Sequence, residues 1–572
     1  AVFSVHVPLL MDSYPTGVRG RVVGVWWGAQ AFGTAVALIA FAVAYRVFDL
    51  NWRSTFLVAG AVAFVAVLVA EWLRDPGFGR YDEAKVRAVA AGADGASPRT
   101  RTSTLGLGEI VRRLTLAGTF KQLLVAFAFL GVFAVPMQSF VNAFLDLRWN
   151  VFGGERAIVL GVMWLLAVPV ALVAGRFIDH SFRKDPGAPL RFAGRGIGVA
   201  AVLVAVGANV PSFGLCVTLL AAGYAVLWAV YPAAFLPVLS VVPPRHRAHA
   251  MALLGITSTL VGGLGGLIVF GGLDRRIGLS GVLVALVVPA VVAMVLFLRA
   301  SRLVAIDLDK LVDETSEDAV LQATLVRGGK LPLLRCHGVD FSYGQLQVLF
   351  GVDFSISDQE MVALLGTNGA GKSTLLRVIS GLGLPSRGTV HYRGEDVTFL
   401  DAERRVRLGI VQIPGGRAVF DPMTVVENIK VFGFAFDRDT KTISQGMDAA
   451  FEAMPRLFER RNSRAQTLSG GERQMLGLAK AFVLRPRLLL IDELSLGLAP
   501  KIVAELLDTV RTINASGTAV VLVEQSVNVA LSVVNHAYFM ERGQIRFDGP
   551  STELLERPDL IRSVFLEGAA KG

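Results

Sequence analysis

"MVALLGTNGAGKSTLLRVIS", Met361 to Ser380, starts as a short apolar run, passes through a glycine-rich loop and ends in a helical pattern. The apolar run is too short for a helix and reads as a buried strand. In the loop, Gly366, Gly369 and Gly371, with Asn368 and Ala370 among them, let backbone N–H groups wrap an anion. The helix that follows adds positive potential at its N-terminus. The spacing Gly366-x-x-x-x-Gly371-Lys372-Ser373, followed by Thr374, is that of a nucleoside-triphosphate loop. In such a loop Lys372 reaches the β- and γ-phosphates and the Ser373 hydroxyl coordinates Mg2+.

Two stretches downstream supply the remaining chemistry. "RLLLIDE", Arg487 to Glu493, is an apolar strand pattern ending in two carboxylates; Asp492 is placed to hold Mg2+ and Glu493 to polarise an attacking water. "LSGGE", Leu468 to Glu472, puts Ser469, Gly470 and Gly471 at a helix start, where a hydroxyl and N–H groups can meet a phosphate. Alone it also reads as a helix cap. Lying between the phosphate loop and "LLLIDE", it resembles the signature of ATP-binding-cassette proteins, and the resemblance covers residues 333–572. That resemblance implies ATP hydrolysis with Mg2+ and a nucleotide sandwiched between the phosphate loop of one cassette and the signature of another. With one cassette per chain, it implies a homodimer through the cassettes. It also implies that Tyr343, in "SYG", stacks on adenine; packing at a strand edge is the other reading.

Two positions depart from the general cassette pattern. In "VLVEQSVNVA" the residue that is usually His is Gln525, which still donates a hydrogen bond toward a γ-phosphate but carries no charge. In "IVQIPGGRAVF", Gln412 is a candidate for the glutamine that couples the metal site to the membrane domain, yet counting back from "MTVVEN" puts that position on Gly415. Together with "LSLGLAP" and the ending "LERPDLIRSVFLEG", these departures resemble the ATPase subunits of branched-chain amino acid uptake systems, which commonly read "PEGR" at the first site. Gly415 replaces even that Glu, which places metal coordination or coupling through this loop in question.

The N-terminal half has a different character. Hydrophobic residues make up 53% of the chain and charged residues only 18%, which excludes an ordinary soluble protein. Eight segments, near 22–46, 52–73, 119–145, 155–178, 191–210, 212–240, 248–273 and 279–299, are long and apolar enough to span a bilayer. The net charge of +10 reads as Lys and Arg gathered in cytoplasmic loops rather than as a nucleic-acid footprint, since 74–118 and the turns at Arg19–Arg21, Arg183–Lys184 and Arg245–Arg247 are basic. Arg275 and Arg276 break an otherwise regular alternation. Cys216 and Cys336 imply no disulfide framework.

An internal repeat is visible in this half. "PLLMDSYPTGVRGRVVG", Pro8–Gly24, parallels "PVLSVVPPRHRAHAMAL", Pro237–Leu253. These turns and "GRFIDHSFRK", Gly175–Lys184, resemble loops of the major facilitator superfamily, which implies twelve helices in two halves. The eight spans then correspond to helices five to twelve, and "AVFSVHVPLL" to the tail of helix four, so helices one to three and most of four are expected upstream.

The expected fold is therefore multi-domain: an all-α polytopic membrane helix bundle over 1–303, a linker over 304–332 and an α/β P-loop NTPase domain over 333–572. No span carries Asp or Glu near its middle; Glu71, Asp146 and Asp179 sit at ends, which favours ATP coupling or facilitated diffusion over proton coupling. Gln138, Asn142, Tyr224 and Tyr231 are candidates to line a substrate path, with interhelical hydrogen bonding the other reading for the amides. The expected function is a transporter in the cytoplasmic membrane, its cassette in the cytoplasm, moving a small solute such as an amino acid. The alternative is a secondary transporter whose cassette is a regulatory nucleotide sensor.

Overall fold

The computed structural model describes residues 2–47, 53, 54, 57, 60, 64, 106–326, 330–415, 419–433, 440–495, 497–524 and 526–556. The chain divides into two compact units, 1–89 with 110–315 and 90–109 with 316–572. The divide falls within helix Val304–Val326, so the stretch expected as a linker is largely helical.

The first unit is helical. Among the described residues six helical runs are long and apolar enough to cross a membrane: Arg19–Ala44, Gly118–Trp149, Gly153–Lys184, Ala188–Gly207, Phe213–Ser240 and Pro244–Ala300. The last has 57 residues, far more than the ~20 that one crossing needs. It breaks at Gly278, whose φ of 67° and ψ of 168° suit only a residue without a Cβ, and so separates the spans expected at 248–273 and 279–299. The span expected at 52–73 lies almost wholly outside the described residues.

The two repeated turns share one local structure. Pro15 leads into a 3₁₀ turn, Thr16–Val18, closed by the Val18 N–H to the Pro15 carbonyl at 3.1 Å. Pro243 leads into Pro244–His246, closed by the His246 N–H to the Pro243 carbonyl at 2.9 Å. A buried arginine opens the next helix in each, Arg19 in the first and Arg247 in the second. The Arg19 Nε donates to the Tyr14 carbonyl and the Arg247 Nε to the Leu239 carbonyl, so each guanidinium staples the end of the preceding helix.

The first turn also explains its glycines. The Asp179 carboxylate accepts the Gly20 N–H at 2.6 Å and the Arg21 N–H at 3.0 Å, capping helix Arg19–Val47 from helix Gly153–Lys184. A Cβ on Gly24 would lie 2.9 Å from the Gly175 Cα, and one on Gly175 would lie 2.6 Å from the Gly20 carbonyl. Small residues let the two backbones meet, a common device in membrane helix pairs. Likewise Gly131 and Gly262 bring helix Gly118–Trp149 against the π-helical segment Thr257–Leu264, where a Cβ on Gly131 would lie 1.9 Å from the Ser258 carbonyl.

The second unit contains two sheets. One is antiparallel in the order β2-β1-β4-β5: β1 Leu334–Tyr343, β2 Leu346–Ile356, β4 Arg387–Tyr392 and β5 Glu395–Asp396. The other runs β10-β9-β3-β8-β7-β6, with β3 Met361–Gly366, β6 Ile410–Ile413, β7 Leu488–Asp492, β8 Ala519–Val523 and β9 His536–Glu541 parallel, and β10 Gln544–Pro550 antiparallel at its edge. Every residue of β3, β7 and β8 is buried, because helices cover one face and the antiparallel sheet with helix Lys372–Ile379 covers the other. Alternate residues feed two cores: Ala363 and Leu365 pack on one side of β3, Val362 and Leu364 on the other.

In the first unit, Arg247 donates to the Asp12 carboxylate at 2.6 Å, and the two side chains are only 2% and 7% exposed. Removing one member of a buried pair costs far more than replacing both. Asp12→Ala should therefore lose about 3 kcal/mol of stability, read as a lower melting temperature in detergent. The double replacement Asp12→Leu with Arg247→Met should recover most of that loss.

Candidate nucleotide site

The register of the parallel sheet gathers the site. Val523 of β8 pairs with Leu364 on one side and Asp492 on the other, so the loop after β3, the acidic end of β7 and the residue after β8 share one edge. Val523 pairs with both neighbours because the three runs are apolar strands of similar length, buried on both faces.

The phosphate loop needs its glycines. Gly366 has a φ of 149°, and a Cβ there would lie 2.1 Å from the Met540 carbonyl of neighbouring β9. Gly371, at φ 104°, starts helix Lys372–Ile379, and Gly369 has a φ of 78°. Ala370 is buried; its N–H donates to the Thr367 carbonyl, and its own carbonyl accepts the Gly543 N–H at 2.8 Å. The Lys372 ammonium donates to the Gly366 and Thr367 carbonyls at 2.8 and 2.9 Å, so the lysine folds back along the loop. Burial lowers its pKa, and the carboxylates of Glu493, Asp492 and Glu524 oppose that shift. Thr374 is buried in the first turn of the helix.

Across the sheet edge, the Ser373 hydroxyl donates to the Asp492 carboxylate at 3.2 Å. Burial raises the Asp492 pKa, and the Ser373 hydrogen bond pulls it back. A hydroxyl and a carboxylate at this separation are the hard oxygen donors that suit Mg2+, which takes few protein ligands and fills the rest of its shell with phosphate oxygens and water. Glu493 follows directly, its N–H donating to the Val523 carbonyl at 3.0 Å and its φ at 50° in the left-handed region. Glu493 thus stands just beyond the metal-type donors.

Gly415 also belongs to this edge. Ile413 of β6 pairs with Ile491 of β7, so Gly415 aligns with Glu493. A Cβ on Gly415 would lie 3.0 Å from the Asp492 carbonyl and 3.5 Å from the Glu493 Cβ. Gln412 sits further back, inside β6 opposite Leu490, with its backbone carbonyl accepting from Lys480 at 3.3 Å.

Ser469 caps helix Gly470–Leu484 through a reciprocal pair with Glu472: the Ser469 hydroxyl oxygen accepts the Glu472 N–H at 3.4 Å, and the Ser469 N–H donates to the Glu472 carboxylate at 2.8 Å. Ser469 and Gly470 are exposed, while Gly471 is buried with a Cβ position 2.5 Å from Ile502. The signature helix packs on β6 and on helices Val425–Phe432, Thr440–Ala453 and Pro500–Ala515, whereas the phosphate-loop helix packs on β1, β2, β3 and β7. The Ser469 turn and the glycine-rich loop therefore rest on different parts of the second unit.

Tyr343 ends β1 with 46% of its surface exposed. Its ring meets Phe341 edge-on at 4.9 Å, and the Arg377 guanidinium of the phosphate-loop helix lies 5.9 Å from its centroid. Gln525 lies outside the described residues. Glu524, just before it, is a site residue whose one local signal is that "VLVE" ends an apolar strand in a carboxylate just as "LLLIDE" does.

In the membrane-type unit, Tyr224 and Tyr231 join an aromatic cluster. Tyr231 stacks on Trp27 at 4.5 Å, Trp228 meets Trp164 edge-on at 4.4 Å, and Tyr224 lies 6.0 Å from Trp164. The Trp228 indole N–H donates to the Trp27 carbonyl at 3.1 Å. Gln138 and Asn142 lie a turn apart on helix Gly118–Trp149, the first half-buried and the second exposed.

Residues 349–495 match the ABC transporter family, and residues 1–266 match the Major Facilitator Superfamily. Over 226 residues the chain is 40% identical to the high-affinity branched-chain amino acid transport ATP-binding protein BraG of Pseudomonas aeruginosa, an alignment covering 40% of this chain and 96% of that protein. Over 225 residues it is 37% identical to the probable branched-chain amino acid transport ATP-binding protein LivF of Archaeoglobus fulgidus, covering 39% and 94% respectively. Among solved structures, a nucleotide-free ATP-binding cassette from an ABC transporter aligns at 23% identity over 41% of this chain and 99% of that chain, with a TM-score of 0.38.

An exposed ring that stacks on a base contributes about 1–3 kcal/mol to binding. Tyr343→Ala should therefore weaken binding of a fluorescent ATP analogue by about tenfold and leave turnover at saturating ATP near its original value.

Proposed function

The chain belongs to the ATP-binding-cassette family, and on that premise we propose that it is a membrane transporter in which ATP hydrolysis by the cassette drives a small solute through the major facilitator-type domain. One observation carries the reading: Lys372, Ser373, Asp492 and Glu493 converge at one sheet edge, in a chain whose other unit has helices of membrane-crossing length. The branched-chain amino acid systems named for the relatives make those amino acids the first cargo to test. Basic loops between the spans support a cytoplasmic cassette in the cytoplasmic membrane.

ATP enters with its phosphates in the loop Gly366–Thr374, where they take Lys372 from the Gly366 and Thr367 carbonyls. Backbone N–H groups of Asn368, Gly369 and Gly371 cradle the phosphates, and that of Ala370 joins them on leaving the Thr367 carbonyl. Tyr343 receives the adenine. Ser373 and Asp492 would hold Mg2+, which supplies charge neutralisation for the phosphates when bound. Glu493 orients and polarises the attacking water, and Gln525 donates toward the γ-phosphate. Exposed Ser469 and Gly470, with Gly471 behind them, present a helix start to ATP held by a second copy, so the working form is a homodimer through the cassettes.

Gly415 favours a second reading. With no side chain beside Asp492 and Glu493, the loop after β6 has no carboxamide or carboxylate there to carry metal state toward a membrane domain. A cassette uncoupled in this way senses nucleotide while a gradient moves the solute, by a path on which Gln138, Asn142, Tyr224 and Tyr231 remain the candidate residues.

Proteoliposomes of the full-length protein separate the readings. Glu493→Gln should reduce ATP hydrolysis by about 10²-fold or more and abolish uptake of solute driven by ATP. Loss of hydrolysis with transport unchanged, and transport that follows an imposed proton gradient without ATP, would select the second reading.

A further inference from the structure

We propose that Glu524 is a positioning residue for ATP hydrolysis, holding the turn that carries Glu493 through a two-pronged grip on Ser495. The inference rests on the reading of Glu493 as the group that polarises the attacking water.

Glu524 is the first residue beyond β8 and is 1% exposed. One carboxylate oxygen accepts the Ser495 N–H at 3.0 Å, and the other accepts the Ser495 hydroxyl at 2.6 Å. A buried carboxylate is tolerated where donors meet both oxygens, and such charge-assisted bonds are short and directional. One residue earlier, the Val523 carbonyl accepts the Glu493 N–H at 3.0 Å. The end of β8 therefore grips the turn at two points, Glu493 itself and Ser495, with fully buried Leu494 between them.

The turn needs that hold. Glu493 sits at φ 50°, a conformation that an L residue with a side chain keeps only when its surroundings over-determine it. Released from Ser495, the turn is free to relax toward ordinary backbone angles, and the Glu493 carboxylate swings away from the edge shared with Ser373 and Asp492. A carboxylate suits the task better than an amide, because two donors from one residue converge on it and an amide has a single acceptor oxygen.

The test uses the full-length protein in detergent, with kcat, KM, binding of a fluorescent ATP analogue and melting temperature measured for each variant. Glu524→Ala and Ser495→Ala should each lower kcat by about tenfold or more while changing analogue affinity by less than about twofold. Glu524→Gln keeps one acceptor and should retain more turnover than Glu524→Ala, and Ser495→Thr keeps the hydroxyl and should restore most of it. Because the two residues act as a unit, Glu524→Gln with Ser495→Ala should be no slower than the slower single variant. Wild-type kcat in Glu524→Ala, additive losses in the double variant, or a kcat loss matched by an equal loss of ATP binding would each overturn the proposal. Glu493→Gln is run in parallel. If it hydrolyses ATP normally, the premise and the proposal fall together; if it is inactive while Glu524→Ala is not, the proposal alone fails.

Discussion

The hydrogen bond from Ser373 to Asp492 joins two segments separated by 119 positions in the chain, and the cassette's chemistry depends on the sheet that makes it possible. Its geometry is set by strand order. Only with β8 between β3 and β7, and with Val523 level with both Leu364 and Asp492, do a phosphate loop and an acidic strand end face one space. The driving force is burial. β3, β7 and β8 have no exposed residue, and their alternating side chains feed two separate cores. A one-residue slip in β7 would send Leu489 and Ile491 to the wrong core and remove Asp492 from Ser373 in the same step.

Much of this was legible from local pattern. The phosphate loop, "LLLIDE" and "LSGGE" announce themselves because each is a short segment whose chemistry and backbone demands coincide: glycines where φ is positive, carboxylates at a strand end, and Ser469 three residues before Glu472 in a capping box. The matches to the ABC transporter and Major Facilitator families agree with that reading. What local pattern does not contain is lateral pairing. Whether Gln412 or Gly415 lies beside Glu493 is decided by the pairing of Ile413 with Ile491, a relation between strands separated by a long crossover. The same holds for Glu524, whose partner Ser495 is 29 positions away.

In the membrane-type unit, the repeated turns were visible as similar text and prove to be similar structure, each with a proline, a 3₁₀ turn and a buried arginine. Their surroundings are not alike. The first turn receives Asp179 on its helix start, whereas Arg247 of the second reaches Asp12 at the end of helix Val2–Ser13. Tyr224 and Tyr231 illustrate the limit of composition alone: a polar aromatic in an apolar span is equally suited to a path or to packing, and here both rings are engaged with tryptophans.

The Asp179 cap has a consequence for biosynthesis. The Gly20 and Arg21 N–H groups find their acceptor 159 and 158 residues later in the chain, and Asp12 finds Arg247 after 235. While the chain is being made, the first turn emerges before the segments that carry its acceptors, so water meets those N–H groups until Asp179 replaces it. The contacts of the first turn and of Asp12 are thus complete only once the segments carrying Asp179 and Arg247 have been made. A ribosome that stalls between these points leaves an early helix start open to other hydrogen-bonding partners, including those of neighbouring nascent chains.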